Sequence, residues 1–195
     1  MIDSASLIKR LLWRINLASK YYRLKHIIPN IFEGWEVSFY PHHLCHASTA
    51  WFGSGNINEN ILIIDGHGEL ETCSCYAADK IGLLQIQSSQ WPNSVGSIYL
   101  CVTRFLGYEQ GDEFRVMGMS AYGKPLYFDH LKECIELTLD GFKIIESKFF
   151  NVELVNNSGL ERFVLKENFN ELCPKVVDKN SFKECHYDLA ASYNT

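Results

Sequence analysis

Apolar residues recur three or four positions apart in several parts of this chain, and that period predicts helices. Near the N-terminus Leu7, Leu11, Ile15 and Ala18 share one helical face. Pro29 and Asn30 follow and are expected to end this first helix. The predicted helices span residues 1–28, 42–52, 94–106, 116–121, 126–139 and 187–193.

Other segments alternate apolar and polar residues or form compact apolar runs, which predicts strands. The two strands on either side of residues 79–82 are expected to pair as a hairpin, because Asp79, Lys80 and Gly82 favour a turn. Residues 142–183 have no firm period, and we expect a few strands there within an insertion. The other predicted strands span residues 36–40, 60–64, 72–78 and 81–87.

This order of elements predicts a mixed α/β fold, with a mixed sheet flanked by helices and three consecutive strands joined by short links. A lobe over residues 35–125 carries the chemically distinctive residues. We expect a helical segment over residues 1–34 before it, and a helix with an irregular insertion over residues 126–185 after it. Residues 186–195 begin a further helix.

Composition narrows the possible partners. A formal net charge of −5 disfavours an extended phosphate-binding surface, so we expect no nucleic-acid partner. No apolar run approaches the roughly 20 residues that span a bilayer, so we expect no membrane association. The seven cysteines are scattered and never spaced as C-x-x-C, which indicates reduced thiols. Together these features predict a soluble cytoplasmic protein.

The first 28 residues contain six basic side chains and a single acidic one, Asp3. This balance is typical of a transit peptide. The apolar spacing within the same residues also fits an ordinary amphipathic helix of the folded protein. The pattern favours the structural helix, and both interpretations stay open.

The most distinctive chemistry lies at His42, His46 and Asp65. Histidines four positions apart project from the same face of a helix, so their imidazoles can share one ion. Asp65 ends an apolar strand, where α/β proteins place ligands. Two imidazoles and one carboxylate leave coordination positions open, a donor set suited to Fe(II), Mn(II) or catalytic Zn(II). Taken alone, the histidine spacing also occurs by chance.

Gly66 and Gly68 follow the aspartate directly. Glycines after a strand allow backbone N–H groups to approach an anion closely, so we expect an anionic ligand to come close here. Asp-Gly is also a favoured hairpin dipeptide, and a simple turn is the alternative. Weaker candidates for a role in binding are His67, Glu69, Ser94, Ser97 and Tyr122.

Four separated motifs resemble those of the O-carbamoyltransferases of nodulation and antibiotic biosynthesis. The resemblance covers residues 41–125 and resumes at residues 186–192, in the same order and spacing, and leaves the insertion unmatched. The motifs are PHHLCHA at residues 41–47, IDGHGE at 64–69, GDEFRVMGMSAYG at 111–123 and HYDLAAS at 186–192.

The resemblance implies a partial actin-like ATPase lobe of the ribonuclease H-like type, as in the catalytic subunit of tRNA threonylcarbamoyl transferase. It implies that His42, His46 and Asp65 bind a metal, usually iron, and that Gly66, Gly68 and Arg115 contact the nucleotide or the carbamoyl group. In this family a separate domain makes carbamoyl adenylate from carbamoyl phosphate and ATP. The actin-like domain then transfers the carbamoyl group to a hydroxyl of a small molecule.

Some features depart from the family pattern. No glycine-rich hairpin precedes Pro41, a further aspartate ligand is expected beyond Thr195, and Arg115 stands where lysine is common. We therefore expect the chain to be part of a larger enzyme and to lack transferase activity when isolated. The alternatives are an inactive remnant, a metal-binding module, or a protein of the tRNA threonylcarbamoyl transferase class.

Overall fold

The computed structural model describes residues 4–139, 141–155, 160–178 and 181–195. Two compact units make up the chain: Met1–Trp91 with Leu154–Glu161, and Pro92–Glu153 with Arg162–Thr195. The described residues form six α-helices and small sheets, so the fold is mixed α/β as predicted. None of the described helices has the length and hydropathy of a membrane span.

The first unit contains two helices and a three-stranded sheet. Both sheet pairings are antiparallel, with Ile61 opposite Tyr76 and Ala77 opposite Leu84. Apolar side chains on one face of this sheet pack against the second helix through Ala47, which is completely buried. The elements are α1 (Ser4–Ile31), α2 (His42–Ser54), β1 (Glu59–Gly68), β2 (Glu71–Asp79) and β3 (Gly82–Gln90).

The second unit contains the larger core, in which aromatic side chains such as Phe150 and Phe169 are fully buried with Leu189 of the last helix. A short 3-10 helix, Glu167–Glu171, precedes the final helix. The elements are α3 (Val95–Phe105), α4 (Glu113–Ser120), α5 (Phe128–Lys132), β4 (Ile135–Thr138), β5 (Gly141–Ile144), β6 (Phe150–Val155), β7 (Leu160–Leu165) and α6 (Glu184–Tyr193).

Several predicted elements are confirmed. Helix α2 and strands β1, β2 and β3 occur where the spacing of apolar residues predicted them, and the hairpin closes between Asp79 and Gly82. Helix α3 begins within the predicted range 94–106, and the hydroxyl of Ser94 caps it by accepting the backbone N–H of Ser97 at 3.0 Å. It is followed by Gly107, whose φ of +77° favours glycine.

Four predictions about elements are wrong. Helix α1 continues through Pro29 to Ile31, because a proline in the last turn removes only one backbone N–H from the helix. Residues 36–40 pair with no strand in the described part of the chain. The helix predicted over residues 126–139 is only five residues long and gives way to a hairpin in which Ile135 faces Ile144. The three-stranded sheet is antiparallel rather than mixed.

Candidate metal centre

His42 and His46 lie on one face of the first turns of α2. The helix begins directly after Pro41, whose carbonyl accepts the N–H of Cys45 at 3.1 Å and closes the first turn. Because the two histidines are four positions apart, their imidazoles meet edge to face, and their Nε2 atoms are 3.0 Å apart. Both Nε2 atoms therefore point at a common position.

Strand β1 brings Asp65 to the same position. Its Oδ2 lies 2.8 Å from Nε2 of His42 and 3.9 Å from Nε2 of His46, while its Oδ1 accepts the Gly66 N–H at 2.6 Å. A ring nitrogen carries either one proton or one lone pair. A single proton on Nε2 of His42 would therefore have to be shared between Oδ2 of Asp65 and Nε2 of His46. A cation can interact with all three atoms at once. The predicted convergence of these side chains is thus present in the fold.

The carboxylate of Asp65 is held in its charged form. Burial pushes its pKa upward, but the hydrogen bonds from His42 and the Gly66 N–H, together with the neighbouring histidines, hold the pKa below its usual value. About half of each imidazole and a third of the carboxylate are open to solvent. The three side chains consequently form an open site that a small ligand can reach.

His43 faces the opposite way and supports the helix from the interior. Its side chain is completely buried, and its Nδ1 lies 2.6 Å from the hydroxyl of Ser74 on β2. The carboxylate of Glu71 is 3.7 Å from the same nitrogen. Burial lowers the pKa of His43, against the opposing influence of Glu71 and Asp65. A neutral His43 therefore fixes α2 on the sheet and orients His42 and His46 outward.

Gly68 lies against the imidazole of His42, and Gly66 has open space beside it. A Cβ on Gly68 would be 2.3 Å from Cδ2 of His42 and 2.9 Å from Cδ2 of His43. A Cβ on Gly66 would meet no atom within 4 Å. Gly68 therefore permits close packing of the histidines on β1, while Gly66 leaves the approach to Asp65 unobstructed.

Arg115 lies in the second unit, in α4. Its guanidinium pairs with Oδ1 of Asp112 at 3.0 Å and lies over the rings of Tyr108 and Phe114. Half of the side chain is exposed to solvent. Tyr122, a weaker candidate, is 81 % exposed. A contact of Arg115 with a nucleotide or a carbamoyl group remains a prediction from sequence.

The other weaker candidates have local structural roles. Ser94 caps α3, and Ser97 supplies the N–H that this cap accepts. His67 packs edge to face on Trp91, with ring centroids 5.8 Å apart. Glu69 occupies the turn between β1 and β2 with a φ of +57°.

The motif around Arg115 and the motif at the start of α6 pack directly on each other within the second unit. Asp188 accepts the backbone N–H of Lys124 at 2.8 Å, and Ser192 accepts that of Tyr127 at 2.8 Å. A Cβ on Gly123 would be 2.0 Å from the carbonyl oxygen of Tyr187. The glycine therefore allows the two segments to touch.

A second cluster with metal-ligating atoms was not predicted from the sequence. The ligand atoms of Cys173, Cys185 and His186 lie within 4.8 Å of one another, as do those of His42, His46 and Asp65. The two cysteines are twelve positions apart and match no ligand spacing, so only the tertiary fold brings them together. The described residues thus contain two groups of side chains able to hold a metal.

Comparison with known proteins supports the family that the four sequence motifs indicated. The family model described as the carbamoyltransferase N-terminus matches residues 7–195. The chain is 34% identical to nodulation protein NolNO of Sinorhizobium fredii over 55% of its length and 16% of that protein. It is 31% identical to nodulation protein NolO of Bradyrhizobium diazoefficiens over 58% of its length and 20% of that protein.

An uncharacterized protein of Synechocystis is 31% identical over 79% of this chain and 25% of its own length. The chain therefore spans between a sixth and a quarter of the curated relatives that it matches.

Proposed function

Because the chain belongs to the carbamoyltransferase N-terminus family, we propose that it is the metal-bearing part of an O-carbamoyltransferase, with His42, His46 and Asp65 as the ligands. The observation that carries this proposal is the convergence of three donor atoms within 3.9 Å of one another. Such a set of two imidazoles and one carboxylate suits Fe(II), Mn(II) or Zn(II).

The donor set fits the role that a carbamoyltransferase requires. A bound divalent cation would polarise the carbonyl of the carbamoyl group. The exposure of the site leaves room for the carbamoyl donor beside the ligands, and Gly66 adds no side chain to that space. His43 anchors α2 on the sheet, and Gly68 leaves the space that the His42 ring occupies.

The proposal also covers the reaction of the complete protein. We propose that carbamoyl adenylate, made from carbamoyl phosphate and ATP by a carbamoyl-adenylate-forming domain, donates the group to a hydroxyl of a small molecule. An actin-like arrangement of the lobe, iron as the native metal, and a contact from Arg115 belong to the same proposal. The negative net charge favours a small acceptor over a tRNA.

Metal content tests the ligand assignment. Protein purified anaerobically with Fe(II) or Mn(II) should hold one ion per chain, and His42→Ala and His46→Ala should each lose it. His67→Ala is the matched control, because His67 is a histidine of the same unit outside the cluster. Equal metal content in all four proteins would contradict the assignment.

Titration calorimetry tests the link to carbamoyl transfer. AMP, the nucleotide part of carbamoyl adenylate, should bind the Mn(II)-loaded chain, and binding should vanish in His46→Ala measured at the same free Mn(II) concentration. Metal binding without any response to AMP or ATP would instead support a metal-binding module that has no part in carbamoyl transfer.

A further inference from the structure

The two thiols of the second cluster are in direct contact. Sγ of Cys173 and Sγ of Cys185 are 3.1 Å apart, closer than two unbonded sulfurs ordinarily pack. Cys173 follows the 3-10 helix and is completely buried, whereas Cys185, in the first turn of α6, is partly exposed. Of the two residues, only Cys185 is accessible in part from solvent.

His186 holds the two cysteine-bearing segments together without offering a free nitrogen. Its Nδ1 accepts the backbone N–H of Lys183 at 2.8 Å, and its Nε2 is 2.8 Å from the carbonyl oxygen of Pro174. One bond closes the first turn of α6, and the other fixes the residue that follows Cys173. The imidazole would have to give up one of these bonds to bind a metal, which leaves two thiolates and too few ligands for zinc.

From this geometry we propose that Cys173 and Cys185 form a reversible intramolecular disulfide. The reaction consumes a small disulfide such as oxidised glutathione. The Cys185 thiolate attacks it, forms a mixed disulfide and releases one glutathione thiol. Cys173, whose pKa burial raises, then gives its proton to the departing glutathione sulfur while its Sγ attacks Sγ of Cys185, and the second glutathione leaves as a thiol. The two protons of the original dithiol leave on the two glutathione molecules.

The crosslink would act on the start of α6. It would close a ring over residues 173–185 and add a covalent link where two hydrogen bonds of His186 now hold the segments. Helix α6 also carries Asp188 and Ser192, which accept backbone N–H groups of Lys124 and Tyr127. We therefore expect oxidation to raise the melting temperature of the chain by several degrees, because a ring of this size restricts the unfolded state.

The test uses the full chain under a series of glutathione redox ratios. Titration of thiols after denaturation should fall from seven to five, since the chain has seven cysteines and the bond consumes two. Peptide mapping without reduction should find Cys173 joined to Cys185. Cys185→Ser should retain all its remaining thiols, and Cys134→Ser, which replaces a buried cysteine outside the pair, should still form the bond.

Two results would overturn the proposal. One is a scatter of other pairings, or no pairing, at ratios that oxidise an unstrained dithiol peptide. The other is stoichiometric zinc in the purified protein that Cys185→Ser abolishes, which would make the cluster a metal site. The mapping of wild-type protein decides between these outcomes even where a serine variant fails to fold.

Discussion

Gly68 sets the position of the His42 ring, and its neighbour Gly66 does not. Gly68→Ala should reduce affinity for Mn(II) about tenfold, because a Cβ at 2.3 Å from the ring would rotate Nε2 away from Asp65. Gly66→Ala should leave affinity unchanged, since its Cβ meets nothing within 4 Å. Competition against a metal-sensitive dye measures both variants. Equal losses would mean that Gly68 does not act through His42.

Burial of His43 makes stability depend on pH. Its pKa is lowered in the folded state, so below the ordinary value of 6.5 the unfolded chain binds the proton more readily. The free energy of unfolding should therefore fall as the pH drops from 6.5 through the folded pKa of His43. Urea denaturation at a series of pH values measures this slope.

His43→Gln should flatten that slope, whereas His26→Gln, which changes an exposed histidine of α1, should not. An unchanged slope in His43→Gln would assign the pH dependence to other groups.

At the scale of elements, the contact between the loop after α4 and helix α6 depends on one glycine. Gly123→Ala should destabilise the chain by about 3 kcal/mol, because its Cβ would overlap the backbone of Tyr187, which cannot move aside as a side chain would. Gly118→Ala is the matched control. Its Cβ meets nothing, so it should stabilise α4 by roughly 0.5–1 kcal/mol. Chemical denaturation of both variants checks the difference in sign.

Elements with a strong local signal could be predicted from the sequence. The serine cap of α3, the turn between β2 and β3, and the four-residue spacing of His42 and His46 each reflect interactions between near neighbours. Asp65 was expected at the end of an apolar strand, but it lies within β1, just after Ile64, in the stretch where the pairing with β2 shifts register.

The remaining features depend on contacts that are distant in sequence. Leu139 was expected to share a helical face with Leu126 and Cys134, yet it is 104 % exposed, so no core held a helix there and a hairpin formed instead. The approach of Cys173 to Cys185 depends on where the 3-10 helix meets α6. Leu11 and Ile15 of α1 fitted an apolar helical face, but both are more than half exposed.

At the scale of the whole molecule, the three-stranded sheet has one covered and one open face. Leu62 and Ile64 of β1 and Leu84 of β3 are each more than half exposed, although they are large and apolar. Open apolar surface of this kind binds hydrophobic dyes and favours association. We expect the isolated chain to bind anilinonaphthalene sulfonate in its native state.

The substitution Ile64→Thr should weaken that dye fluorescence and change stability little, because its side chain contacts mainly solvent. Ile61→Thr, on the covered face, should cost about 1–3 kcal/mol of stability and leave the dye signal of the folded protein intact. A native chain that does not bind the dye would contradict the exposure of this face.

Because the two imidazoles on α2 are half exposed, the metal that binds them should depend on which ions are available in the cell. Donor sets of this kind follow the Irving–Williams series, in which Cu(II) and Zn(II) bind more tightly than Fe(II) or Mn(II). The untagged chain should therefore be retained on an immobilised nickel or copper column. The ion held by the proposed ligands should then reflect the metal supply of the compartment in which the chain folds, and overexpression in zinc-rich medium should yield the zinc form.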